Sequence, residues 1–181
     1  MSSSALTVDV RPMTAEDVDW VMEIAAGLPN SPHWPRGVWI DAINPGAVLR
    51  RVALVAVPGR IEQALAATDR RLPAIFGFAV ASLLPPQAEL EAIAVVAEHQ
   101  RLGLGCRLLT ELVEQLSQTG IEEILLEVRT SNLAAIGLYR GFGFNQIGVR
   151  AGYYADPVED AVLMNLRPGQ VENFVYDVPR S

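Results

Sequence analysis

Apolar positions along this chain follow two periods, and the changes between them mark its elements. Thr7 to Arg11 alternates apolar and polar, which predicts a short strand that Pro12 stops. Thr14 reads as a helix N-cap, with Glu16 and Asp17 in the first turn. Val18, Val21, Met22 and Ala25 form an apolar face that ends near Gly27. Three prolines make 28–36 a loop, and a short helix is expected through Val38, Trp39 and Ile43. Strands are predicted over 48–57 and 74–84, the second closed by Pro85-Pro86. Between them, 58–73 is too long for a hairpin and reads as a partly helical surface insertion. Further on, 124–129 reads as a buried strand, 132–140 as a helix stopped by Gly141 and Gly143, and 145–150 and 161–166 as two late strands. Strands and helices in this mixed order predict an α/β (α+β) sandwich on a mixed sheet.

At the centre lies LEAIAVVAEHQRLGLGCRLL, from Leu90 to Leu109. An apolar run ends in Gly103-Leu104-Gly105, and Leu104, Leu108, Leu109, Leu112, Val113 and Leu116 then recur at helical spacing. A strand feeding directly into a helix N-terminus binds anions. The free amides of the first turn point outward, the helix dipole adds partial positive charge, and glycines let a phosphate come close. The third glycine of a dinucleotide fingerprint is missing, since that position is Leu108, and Cys106-Arg107 stands where a Walker loop needs Lys-Ser/Thr.

Composition narrows the classes. With 181 residues, half of them hydrophobic, the chain can bury one core, so one domain is expected over 1–166, with a C-terminal tail over 167–181. A net charge of −7 disfavours nucleic acid and suits a basic peptide or amine. A single cysteine excludes an internal disulfide, and two isolated histidines give no metal pattern. Neither a secretory start nor a run of membrane-spanning length is visible, so no membrane association and a cytoplasmic setting are expected. Monomer and homodimer remain open.

Gln100-Arg101-Leu102-Gly103-Leu104-Gly105 resembles the Gln/Arg-x-x-Gly-x-Gly/Ala signature of the Gcn5-related N-acetyltransferases (GNAT). The later block Leu126-Glu127-Val128-Arg129-Thr130-Ser131-Asn132, with Ala135-Ile136, Leu138-Tyr139 and Gly143-Phe144, is similar to that of the protein N-terminal acetyltransferases. Among these it is most like the bacterial ribosomal-protein alanine acetyltransferases and then the archaeal enzymes. Tyr153-Tyr154 and Glu159-Asp160-Ala161 extend the likeness. The resemblance spans about residues 89–166 and is faint before them.

The resemblance implies the GNAT fold, a mostly antiparallel central sheet flanked by helices as a three-layer sandwich. It also implies acetyl-coenzyme A as co-substrate and a protein or peptide N-terminus as acceptor, a ribosomal protein beginning with alanine being the expected target. The cofactor would be held by Ile93, Ala94 and Val95 along its pantetheine arm, by Arg101, Leu102, Gly103, Leu104, Gly105 and Cys106 at its pyrophosphate, and by Asn132. Trp34, Tyr153 and Tyr154 would hold the acceptor, gripped between the loops 28–36 and 150–159.

Acyl transfer from a thioester needs a neutral amine and a departing thiolate, with ordinary pKa values of about 7.7 to 8.0 and about 8.5, so a weak base and a weak acid suffice. Glu127 is implied as base and Tyr139 as acid. Glu91 is the rival base, since strand alternation puts Glu89 and Glu91 on one face with Ile93 and Val95. Each residue also has a purely structural role open to it: Tyr139 as a core aromatic, Asn132 as a helix N-cap, Trp34 as a plug at the core edge. Cys106, in a first helical turn, is expected to have a lowered pKa. A small-molecule amine acetyltransferase and a non-catalytic acyl-coenzyme A sensor are the alternatives to an N-terminal acetyltransferase.

Overall fold

The computed structural model describes residues 8–59 and 75–170. The expected insertion at 58–73 and the tail therefore fall largely outside the described residues. Seven strands form one sheet: β1 (Val8–Pro12), β2 (Arg51–Pro58), β3 (Gly77–Leu84), β4 (Gln87–Val95), β5 (Glu123–Arg129), β6 (Asn145–Ala155) and β7 (Val158–Leu166). Their order is β1-β2-β3-β4-β5-β7-β6, and only the β4/β5 pair is parallel.

Helices cover both faces. On one side lie α1 (Val18–Ala26) and α2 (Arg36–Ala42), packed on Val55, Val57, Phe78 and Val80 around the fully buried Trp39. On the other lie α3 (Leu104–Gln118) and α4 (Leu133–Phe142). The six apolar residues of α3 that the sequence spaces along one face are all buried against Leu90, Ile124, Leu126 and Val128. Truncating one of them, as in Leu112→Ala, costs on the order of 2–5 kcal/mol. The expected three-layer arrangement is what the chain adopts.

Three local differences from expectation matter for the site. The first helix is entered by a 3-10 turn at Ala15–Asp17, where Thr14 and Asp17 form a capping box that Arg11 locks with bonds of 2.7 and 2.8 Å to the Asp17 carboxylate. The last two strands run much further than their apolar alternation suggests. They meet at Asp156-Pro157, so 150–159 is the end of a hairpin rather than a loop. Strand β4 carries a bulge: Ala81 pairs with Leu90 and Val80 with Ala92, leaving Glu91 as an extra residue. Before it, Ala88 and Leu90 face α3; after it, Ala92 and Ala94 face α1 and α2, while Ile93 and Val95 turn toward α3. Glu89 and Glu91 therefore do not share a face with Ile93 and Val95, because one inserted residue reverses the alternation.

Candidate active site

The pairing of β4 with β5 runs only from Gln87/Glu123 to Glu89/Leu125. Beyond that register no ladder pairs the two strands among the described residues, and the loop before α3 and the carboxylates of β4 and β5 lie along this unpaired stretch. At one end β4 leads through a 3-10 turn (Ala97–His99) into α3. Arg101 has φ 64° and Gly103 φ 80°, both left-handed, so the loop turns its amides inward as an anion nest. The first backbone donor used at this helix start is Arg107 N, bonded to Gly103 O at 3.1 Å. The amides of Leu104, Gly105 and Cys106 precede it in the first turn. Gln100 ties the loop to the strand by donating to the Val95 carbonyl at 3.0 Å. A Cβ on Gly105 would lie 3.2 Å from Leu138 Cδ2, so this glycine also lets α3 and α4 approach. Leu104 and Ala94 are buried in the cores on either side of the sheet and offer the site backbone only, whereas Leu102 is exposed. Burial pushes the Cys106 thiol up, contrary to the lowering expected from its helical position.

At the other end three carboxylates converge from β4 and β5. Glu91, on the bulge, is held by Arg51 through bonds of 2.6 and 3.2 Å, and both partners are largely shielded. Arg51 lies over the half-buried Trp34, 5.9 Å from its ring centre, and the Trp34 carbonyl accepts from Trp39 Nε1. Trp34 thus stands between the α1–α2 loop and the carboxylates, while Trp39 is core. Glu127 lies on the β5 face opposite Leu126 and Val128. It pairs with Arg150 of β6 at 2.8 Å, across the intervening β7. A second bulge, between Arg150 and Tyr154, brings the Tyr153 phenol to the same carboxylate, and that hydrogen bond pushes Tyr153 up to about 12. Partial desolvation, followed by the charges of Glu127 and Glu91, holds Glu89 above the usual carboxylate range.

Beside this cluster, Arg129 stacks on Tyr154 at 4.1 Å and pairs with Glu159 at 3.1 Å. Glu159 also accepts from Ser131 N at 2.6 Å and Thr130 Oγ1 at 2.9 Å; the bonds from Ser131 come first among the causes that draw it down to about 2. Glu159 thereby fixes the turn that starts α4. Asn132 is the N-cap of that helix, accepting from Ala135 N at 3.2 Å. Tyr139 is buried, its ring 5.7 Å from Phe144. Burial and then the nearby Tyr154 phenol push it far above the ordinary value.

Of the residues picked from the sequence, Glu91, Glu127, Tyr153 and Trp34 gather beside β4 and β5, whereas Tyr139, Ala94 and Leu104 are buried in the cores. The sequence reading missed Arg51, Arg150 and Glu159 as site residues. Glu159 sits in a block that carries the resemblance, and the arginines reach the site only across neighbouring strands. Among the described residues no group of three or more His, Cys, Asp or Glu side chains could hold a metal ion, and no helix is long and apolar enough to cross a membrane.

Comparison with known proteins is consistent with this geometry. The profile of a family described as Acetyltransferase (GNAT) family matches residues 61–144. The ribosomal protein bS18-alanine N-acetyltransferase of Escherichia coli (strain K12) is 44% identical over 91 residues, which are 49% of this chain and 62% of that protein. This chain thus matches less than two thirds of that relative's length. A putative enzyme of the same description from Bacillus subtilis (strain 168) is 31% identical over 157 residues, 86% of this chain and 92% of the relative. The crystal structure of the ribosomal-protein-S18-alanine N-acetyltransferase from Escherichia coli superposes with a TM-score of 0.73 at 27% identity, covering 94% of this chain and 99% of that one.

Proposed function

Because the chain belongs to the GNAT family of acetyltransferases, we propose that it moves the acetyl group of acetyl-coenzyme A directly onto the N-terminal α-amine of a protein. The acceptor class is a basic chain beginning with alanine, as in a ribosomal protein. The observation that carries this reading is the unpaired stretch of β4 and β5, with an amide nest at one end and a carboxylate–tyrosine cluster at the other. The residues fit the co-substrate. The amides of Leu104, Gly105 and Cys106 suit a pyrophosphate, and the β4 edge after Glu89, which has no ladder partner on the β5 side among the described residues, suits an amide-bearing arm.

Glu127 is the base in this scheme, taking the ammonium proton directly or through water before attack. Glu91 has both oxygens committed to Arg51, which suits an anchor for the bulge better than a proton acceptor. Tyr139 arrives protonated at any working pH. Tyr139 is the acid in this scheme: burial, and then the Tyr154 phenol, keep it protonated and able to donate to the leaving sulfur. Tyr153, with its exposed ring, and Trp34 form the walls against which an extended N-terminus would lie.

The test is kcat/KM, followed by thiol release from acetyl-coenzyme A. The acceptors are an Ala-initiated peptide with downstream arginines, its N-blocked lysine-bearing counterpart, and simple polyamines. The α-amine peptide is expected to win, and Tyr153→Ala and Tyr154→Ala to raise its KM. Preference for a polyamine would make the chain a small-molecule acetyltransferase; binding of the co-substrate with no acceptor turned over would make it a sensor.

A further inference from the structure

Three ion pairs ring the site, and they differ in one respect. Arg51 with Glu91 and Arg129 with Glu159 are shielded on both sides, each side chain at most 17% exposed. Arg150 pairs with a Glu127 that is 18% exposed, yet is itself 54% exposed. It belongs to β6, the edge strand, and reaches Glu127 past Ala161, whose small, fully buried side chain sits in the row between Arg129 and Arg150. Its guanidinium lies 5.0 Å from the ring centre of Tyr153. Immediately after Arg150 the register of β6 with β7 breaks, so the backbone beside it is not locked into a ladder. Such a cation loses little by leaving, because half-exposed ion pairs contribute little and water reclaims the charge.

We propose that Arg150 is a displaceable cation that holds the place of the acceptor's ammonium against Glu127 until a charged acceptor replaces it. This inference rests on the α-amine reading given above. The incoming ammonium replaces the guanidinium at the carboxylate, and Arg150 moves outward along the exposed Tyr153 ring. Transfer turns the ammonium into a neutral amide by loss of two protons, one through Glu127 to water and the other to the departing thiolate, so Glu127 is an anion again afterwards. The neutral product does not compete for the carboxylate, so Arg150 returns to Glu127. Arg150 is thus a competitor for Glu127 that responds to the charge of the acceptor.

Arg150→Gln separates this from a packing role. The KM of the Ala-initiated peptide should fall by about two- to fivefold, the range for removing an exposed competing ion pair, while the Ki of the N-acetylated peptide, which does not compete for Glu127, stays level. Arg150→Lys, which keeps the charge, should return the KM toward the parent value. Acetyl-coenzyme A affinity, measured by calorimetry in each variant, checks that the fold is intact. A rise in KM for the amine, or parallel shifts for amine and acetylated peptide, would overturn the proposal. Should the parent protein not acetylate α-amines at all, the functional reading fails first, and the absence of turnover with any peptide identifies that failure.

Discussion

Arg51 grips Glu91 at two points, 2.6 and 3.2 Å, at the single position where β4 has a residue that β3 does not match. The pair holds the bulge shut on the α1–α2 side of the sheet and so sustains the unpaired stretch between β4 and β5. Glu91→Gln is therefore expected to lower thermal stability, since it leaves a shielded guanidinium without its charge partner. Its acidic limb of kcat/KM should resemble that of the parent. Glu127→Gln should do the reverse and remove the limb. Parallel pH–rate profiles and melting curves decide between them; a lost limb in Glu91→Gln alone would exchange the two roles.

Removing the hydroxyl in Tyr139→Phe should slow turnover by about ten- to a thousandfold, the range of a lost acid or donor. Co-substrate affinity should change little, and the ring packing on Phe144 is retained. Because burial keeps the phenol protonated far above neutrality, the alkaline side of the parent profile should not report Tyr139. An equal rate in the variant would leave it a core aromatic only.

The two glycines of the loop should fail differently. Gly103 holds φ 80°, so Gly103→Ala adds strain on the order of 1–3 kcal/mol at the nest itself. Gly105→Val presses on Leu138 as well as on the phosphate path. Both should weaken acetyl-coenzyme A binding by more than tenfold, about 1.4 kcal/mol. Adding Leu138→Ala to Gly105→Val should recover stability but not affinity. Recovery of both, read by calorimetric titration, would mean that Gly105 serves helix packing alone.

Acid should loosen the start of α4. Glu159 is drawn down to about 2 from an ordinary 4.5, so its contribution is complete above the higher value and is lost as pH falls through the lower one. Hydrogen exchange at Thr130 and Ser131 should quicken between those limits. In Glu159→Gln it should be fast already at neutral pH and show no such acid step.

Legibility in the sequence followed the range of the forces involved. The apolar period of α3, its glycine entry and the buried side of β5 are local patterns, and each proved to be where the residues placed it. The 3-10 entry to α1 and the length of β6 were not legible. Asp17 closes a capping box with Thr14 and is held as well by Arg11 from the preceding strand, and β6 is an edge strand whose exposed residues show no alternation. Glu127 was marked by the block that carries the resemblance. Its partner Arg150 was not, since the two strands flank a third and only the ladders bring them together. The face of Glu91 was misread because alternation is silent about an inserted residue.

That inserted residue has a consequence for how the protein tolerates change. The even-numbered residues of β4 face one helical layer before the bulge and the other after it, so what sets the assignment is the number of residues in the strand and not the identity of any one side chain. Deleting Glu91 would leave Leu90 opposite Ala81 and Ala92 opposite Val80 in an unbroken ladder, with Ile93 still facing α3. It would also extend the pairing of β4 with β5. Substitutions here should be absorbed one by one, whereas a frame-preserving loss of that codon should remove the unpaired stretch as a whole.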